Sequence, residues 1–516
     1  MTKTAPKTAP KTAPKTAPKA APKKAPKKAP KKAPKKAPKK APKKAPKTAP
    51  KTAPKTAPKT APKTVPKRIY NLRKRLRKSQ QLSRQKVIRN YVVRMYGGVG
   101  EKEEDPKNTT LEGRIAKYYI ITTALNPSSF TESCLENYGE KYKIKDKGAT
   151  VVLELSRKEG VSTSVYGVIY NTKYTGSVYE YEIVSKLMKP STGNENEYII
   201  RDGVYDNRDN EKELYLMKVA TNLILDKTSK HFLLMYFYSR CDNKLQPIDT
   251  QPIDDFPVSY VIYTEPATGD IRSLLKKSSK TLDDITLLNI VIQSIISLGT
   301  FHNRVGYIHN DCHMGNFLYQ DNFEYRENYY YHYILDSLNY RLKSCNYNIM
   351  IYDFGNSIKI ENMSSHNAII NAILNRIITN DLFINYEEQI ITYDEDEGSF
   401  KAGDFVLGIE ILSRLITQNI NKYINELIKI DYIVLIDEFK NELPKDNKMS
   451  NILDELLISV KSIQIVGNAI DSKTIFKKVM EIVITLCNTR FNSDNILLQD
   501  TLPSSIINAQ PYKISR

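Results

Sequence analysis

A proline stands at every fourth position through residues 3–66, closing sixteen tetrapeptides, mostly K-T-A-P toward both ends and K-K-A-P in the middle, the last being Lys63-Thr64-Val65-Pro66. Each proline removes a backbone donor and collides with the turn before it, so no α-helix survives there. The repeats hold almost no apolar surface to bury. Residues 1–67 are therefore expected to form a disordered, self-repelling tail with polyproline-like extension. A folded domain has to come from the rest of the 516-residue chain.

Charge divides the sequence at the same place. The first hundred residues hold 33 of the 78 Lys and Arg and none of the 57 Asp and Glu, so the formal +21 conceals a remainder at −12. The basic character belongs to the N-terminal part alone, and residues 101–516 read as a mildly acidic globular protein. The prolines stop at residue 66. Residues 68–96 then carry Arg68, Arg73, Lys74, Arg75 and Arg77 among Ile69, Leu72, Leu76, Val87, Ile88, Val92 and Val93. This spacing predicts a basic amphipathic helix, with linker sequence continuing to residue 139. The tail's composition resembles the Lys-Ala-Pro tails of linker histones. That implies a polyanion partner, DNA or RNA, gripped by residues 1–96 through counterion release; a solvated spacer is the other reading.

The five cysteines are scattered, with no C-x-x-C pair, which fits a reducing compartment and gives neither a disulfide framework nor a zinc site. No secretory signal precedes the repeats, and no apolar run is long enough to span a membrane, so an intracellular protein is expected.

Beyond residue 140 the pattern is strand-rich and then helix-rich. Strand patterns cover residues 150–155, 165–170, 178–187, 231–238 and 259–264, with a helical stretch over 211–225. Thr281 and Asp284 suggest a capping box for a long apolar helix through Phe301, and Ile/Leu-periodic helices fill the last hundred residues. This order predicts an α+β fold.

The chemistry-bearing residues fall in the second half. Residues 308–318 read I-H-N-D-C-H-M-G-N-F-L, and 350–356 read M-I-Y-D-F-G-N. One Asp able to orient a hydroxyl, with an Asn and a second Asp able to ligate magnesium, is the minimal equipment for moving a phosphoryl group from ATP. With these motifs in order, the chain from about residue 140 resembles the protein-kinase-like superfamily, and is most similar to divergent kinase-like proteins of giant DNA viruses. The resemblance implies a two-lobed fold, with a β-rich N-lobe over about 140–266 and an α-helical C-lobe over about 267–516. It also implies that the protein is an ATP- and Mg2+-dependent serine/threonine protein kinase.

Carried over residue by residue, Asp311 matches the catalytic-loop Asp, and Asn316 and Asp353 match the metal ligands. Lys186, in Ile183-Val184-Ser185-Lys186, matches the lysine that pairs the α- and β-phosphates; Lys218 is its competitor. Glu213 matches the helix glutamate that holds this lysine, with Glu211 as the alternative. Ser162, Ser164 and Gly167 align with the phosphate-covering glycine loop, two of whose glycines have become serines. Backbone groups near Glu265 would read the adenine.

The chain also departs from the family pattern. Asn310 replaces the usual Arg before the catalytic Asp, which argues against control by activation-loop phosphorylation. His313 is shared instead with small-molecule phosphotransferases of the superfamily. No A-P-E follows the D-F-G, and residues 404–408 fall one residue short of the family's next Asp-to-Gly helix signature. Thirty-six residues separate Asn316 from Asp353, with a Tyr-rich insertion at 325–340. His309 is expected to pack beneath the catalytic loop. His302, His332 and His366 lack partners at metal spacing, and Cys312 lacks the companions of a cysteine nucleophile. Two further readings stay open: a small-molecule kinase, and a kinase-shaped scaffold or nucleic-acid-binding virion protein with little turnover.

Overall fold

A computed structural model describes residues 110–124, 141–146, 149–157, 167–175, 180–188, 209–241, 259–278, 282–360, 393–394, 399–400, 420–444, 447–465, 469–491, 495–501, 503 and 505–516. The repeat tail, the basic segment 68–96, Ser162, Ser164, His366 and residues 404–408 lie outside the described residues.

The fold is α+β. Helix α1 (Leu111–Ala124) comes first, followed by β1 (Lys141–Asp146), β2 (Ala149–Arg157), β3 (Gly167–Thr175), β4 (Glu180–Met188), α2 (Asp209–Leu225), β5 (Met235–Cys241) and β6 (Ser259–Thr264). The six strands form one antiparallel sheet in the order β1-β2-β3-β4-β6-β5. Alternation is clean along β3, where Tyr170, Thr172 and Tyr174 are buried and Asn171 and Lys173 are exposed. At Ser185 and Lys186 both faces of β4 are covered. Helix α2 buries Glu213, Leu216, Met217, Ala220 and Ile224, one stripe at helical spacing, and exposes Tyr215 and Asn222 on the other side.

The boundary expected at residue 140 leaves out a core element. Leu111, Ile115, Ala116 and Ile121 of α1 are buried, and its leucine and isoleucines join the same apolar cluster as the sheet, so a helix inside the stretch read as linker belongs to the domain.

Next come β7 (Gly269–Asp270), α3 (Ile271–Ser278) and α4 (Asp284–Thr300), which runs into a π-helical turn (Phe301–Val305) ended by Gly306 at φ 83°. The start of α4 corrects the expected capping box. Asp283 is the N-cap; its Oδ1 accepts the Thr286 N–H at 2.7 Å and its Oδ2 the Thr286 hydroxyl at 2.8 Å. The S/T/D-x-x-T pattern therefore starts at 283, because the helix begins later than the apolar pattern suggested. Among the described residues one stretch, Asp284–Val305, is long and apolar enough to cross a membrane, but 89% of its most apolar window is buried inside the molecule, as in the core helix of a folded domain, consistent with the expected lack of a transmembrane segment.

Strands β8 (Tyr307–Ile308), β9 (Phe317–Asp321), β10 (Tyr330–Leu335), β11 (Leu338–Lys343), β12 (Tyr347–Ile351) and β13 (Ile358–Lys359) come after it, then the small pair β14 (Tyr393–Asp394) and β15 (Ser399–Phe400). Helices α5 (Ile420–Glu442), α6 (Lys448–Lys461) and α7 (Ser472–Arg490) and the short strands β16 (Leu497–Gln499) and β17 (Tyr512–Lys513) complete the described elements.

The antiparallel pair β9/β12 explains how the long spacing between the two motifs is absorbed. Phe317 stands opposite Ile351, so the strands bring Asn316 and Tyr352 together at one end. The extra residues leave from the other end as the β10–β11 hairpin, and β16 and β17 add to that hairpin's two edges in the order β16-β11-β10-β17.

Candidate functional site

The loop after β8 carries Asp311, His313 and Asn316, and its backbone is fixed from below. Asp431, 1% exposed on α5, accepts the N–H of His309 at 2.7 Å and of Asn310 at 3.0 Å, and also faces His302 Nε2 at 2.9 Å. His309 is buried among Phe301, Phe317 and Phe354 and donates from Nε2 to the Tyr352 carbonyl at 3.0 Å. Burial lowers its pKa, outweighing the pull of Asp431, so it stays neutral. Asn310 and Asp353 both adopt left-handed backbone, at φ 60° and 62°. Asn and Asp tolerate this region better than most side chains, and non-glycine residues held there cluster at functional sites.

The functional side chains converge from this frame. Asn316 Nδ2 donates to the Asp311 carbonyl at 2.9 Å, and the Tyr352 N–H donates to the Asn316 carbonyl at 3.0 Å. Asn356, just after Asp353-Phe354-Gly355, donates from Nδ2 to Asp311 Oδ2 at 3.1 Å. His313 Nδ1 accepts the Gly315 N–H at 3.1 Å, so the neutral ring carries its proton on Nε2, which lies 3.7 Å from Asp311 Oδ1. Gly315 permits this closeness, since a Cβ there would sit 2.9 Å from the imidazole.

Lys186 ties the sheet to this cluster. Its ammonium lies 2.8 Å from Glu213 Oε1 and 3.0 Å from Asp353 Oδ1. Burial alone would lower the Lys186 pKa, but Glu213, then Tyr352 and Asp353, hold it well above the usual value, so it is charged. Burial lifts the Glu213 pKa to about 7 against the opposing pull of Lys186. The two competitors lie elsewhere: Lys218 Nζ sits 4.1 Å over the Tyr238 ring, and Glu211 accepts the Tyr260 hydroxyl at 3.1 Å.

Two hard oxygens in the cluster are suited to magnesium. With Nδ2 committed to Asp311, Asn316 has Oδ1 left over, and Asp353 has Oδ2; neither carries a hydrogen bond among the described residues. Among those residues no group of three or more His, Cys, Asp or Glu forms a metal cage. The pair fits an ion that takes most of its ligands from phosphate and water.

At the expected adenine-reading position the Glu265 side chain is 3% exposed and held by Arg114 of α1, which leaves the backbone groups there. Its N–H is committed to the Leu234 carbonyl at 3.0 Å. Its carbonyl and both polar groups of Ala267 remain without a hydrogen bond among the described residues, and Pro266 has no N–H to offer. Of the positions expected to cover phosphate, Gly167 opens β3 opposite Met188, and this register sets Ile169 across from Lys186.

Two residues of this frame escaped the sequence reading. Asp431 is one, and the D-Y-I-V-L run at 431–435 carries no motif that marks it. Arg114 lies in the stretch that read as linker. Compared with known protein families the sequence matches none, and compared with curated proteins it matches none either.

Proposed function

We propose that the chain is an ATP- and magnesium-dependent phosphotransferase of two-lobed kinase type, acting on serine or threonine hydroxyls of proteins. The observation that carries the reading is Lys186 held between Glu213 and Asp353, with Asp353 one residue from the Tyr352–Asn316 backbone contact and Asn316 bonded to Asp311. Five residues from distant parts of the chain meet in the arrangement that phosphoryl transfer requires.

In this reading the charged Lys186 binds the α- and β-phosphates and Glu213 holds it in place. Asp311 Oδ1 orients the attacking hydroxyl, while Asn356 keeps the carboxylate from turning. The hydroxyl oxygen bonds to the γ-phosphorus, the bond to the bridging oxygen breaks, ADP departs, and Asp311 accepts the proton late in transfer. Magnesium held by Asn316 Oδ1 and Asp353 Oδ2 would neutralise the phosphate charge. Phe354, stacked on Phe301 at 4.9 Å, anchors the segment that presents Asp353.

His313 favours a second reading, a small-molecule kinase. Its Nε2 hydrogen and Asp311 stand side by side, as suits a compact polar acceptor. Labelled-ATP assays on protein mixtures against metabolite pools separate the two.

The decisive experiment is Mg-ATP binding and turnover by the full chain. Asp311→Asn should keep nucleotide affinity and lose about 10²-fold or more in turnover, and Asp353→Ala should abolish magnesium-dependent turnover. Wild-type protein that binds no Mg-ATP at millimolar concentration would leave a kinase-shaped scaffold.

A further inference from the structure

We infer that Arg114, on the helix preceding the sheet, is a positioning residue for the nucleotide base: it fixes the strand-end backbone that reads adenine. The inference rests on the phosphotransferase reading above.

All three nitrogens of the guanidinium are engaged. Nε donates to Glu265 Oε2 at 2.9 Å and Nη2 to Glu265 Oε1 at 2.6 Å, a two-pronged grip on one carboxylate. Nη1 donates to the Lys230 carbonyl at 2.9 Å and Nη2 to the Phe232 carbonyl at 2.6 Å. Glu265 Oε1 also accepts the Leu234 N–H at 2.7 Å. Arg114 and Glu265 are 4% and 3% exposed, so both charges are out of water. A buried ion pair contributes little net stability over apolar packing, but one held by several further hydrogen bonds on each side fixes geometry.

The fixed geometry is that of residues 265–268. Besides the Glu265 N–H, the Pro266 carbonyl is taken by Gln320 Nε2 at 2.7 Å and the Thr268 N–H by the Tyr319 carbonyl at 2.9 Å. These bonds leave an acceptor at Glu265, then a donor and an acceptor at Ala267. Adenine offers the complement, an amino donor at N6 beside an acceptor at N1. Guanine reverses that pair, with O6 accepting and N1–H donating. A rigid edge therefore selects adenine, and Arg114 is the residue that keeps the Glu265 end of it rigid. The residue lies 151 positions away in sequence, which makes α1 part of the nucleotide site.

The test uses the full chain and isothermal calorimetry. Arg114→Met alone leaves Glu265 buried and unpaired and will be poorly stable, so the informative variant is Arg114→Met/Glu265→Gln, which removes both charges together. In this double variant, with thermal stability recovered toward wild type, Mg-ATP should bind about tenfold more weakly or worse. The preference for Mg-ATP over Mg-GTP should narrow, and kcat at saturating ATP should change little. Arg114→Lys, which keeps the charge and loses the fork, should fall between. Wild-type affinity and wild-type base preference in the double variant would overturn the inference and leave the functional reading standing. Wild-type protein that binds no Mg-ATP would overturn both.

Discussion

Lys186 sits between Glu213 and Asp353, and its removal should be felt differently at different pH. Glu213 is buried, and its folded-state pKa of about 7 lies above its ordinary 4.5. A carboxyl raised in this way favours the folded state fully below 4.5, and that advantage is lost as pH rises through about 7. Lys186 offsets the loss by pairing with the ionised form. Lys186→Met takes the offset away and leaves two carboxylates facing each other, so it should cost about 3–5 kcal/mol at pH 8. The deficit should shrink as pH falls toward 5, because Glu213 can then be protonated at little expense. Urea unfolding of wild type and variant at pH 5, 6.5 and 8 measures this. A deficit independent of pH would mean that Lys186 contributes through packing and not through charge.

Helices α4 and α7 approach closely at Gly299, where a Cβ would overlap the ring of Phe476. Alanine in a helix interior ordinarily gains up to about 1 kcal/mol over glycine. Here the clash should reverse the sign, and Gly299→Ala should destabilise by a net ~1–3 kcal/mol. Phe476→Leu added to it should recover part of the loss, which a double-mutant cycle in urea would show; simple additivity would argue against direct contact. Legibility from sequence follows the same division between local and distant. Strand β6 coincides with its predicted span, and the motifs at 308–318 and 350–356 announce themselves because each is a short run whose residues act together. The cap of α4 was placed two residues early, since Thr281 and Asp283 are both good cap residues and only the helix start decides between them. Strand β1 went unread because Lys141-Tyr-Lys-Ile-Lys-Asp146 reads as charge more than as strand. Asp431 and Arg114 were not legible at all. Their roles come from partners 122 and 151 residues away, and nothing in their own neighbourhoods marks them.

For the whole of the described domain, residues 228–232 are where separate parts of the chain meet. Lys230 and Phe232 offer their carbonyls to Arg114 of α1, the His231 carbonyl accepts the Ile351 N–H of β12, and His231 Nε2 meets the Tyr333 hydroxyl of β10 at 2.8 Å. The Lys513 N–H reaches the Thr228 carbonyl at 2.8 Å, so the strand that extends the hairpin also closes on this junction. From there Arg304, in the π-helical turn before the loop that carries Asp311, donates to the Ser515 carbonyl at 2.7 Å, and the backbone of Ile514 is bonded to Ile334. Tyr512 and Ile514 are 3% and 0% exposed. Burying two such side chains stabilises by roughly 3–6 kcal/mol, a large share of the total stability of a domain. Removal of residues 512–516 should therefore lower the urea midpoint of the whole domain in a single transition, and Ile514→Ala alone should cost about 2–5 kcal/mol. Unfolding followed at once by tyrosine fluorescence and far-UV circular dichroism tests the point. If the shortened chain kept the wild-type midpoint, the closing segment would be an ornament on the hairpin. If the two probes separated, the junction at 228–232 would not be binding sheet, hairpin and the Asp311 loop into one cooperative unit.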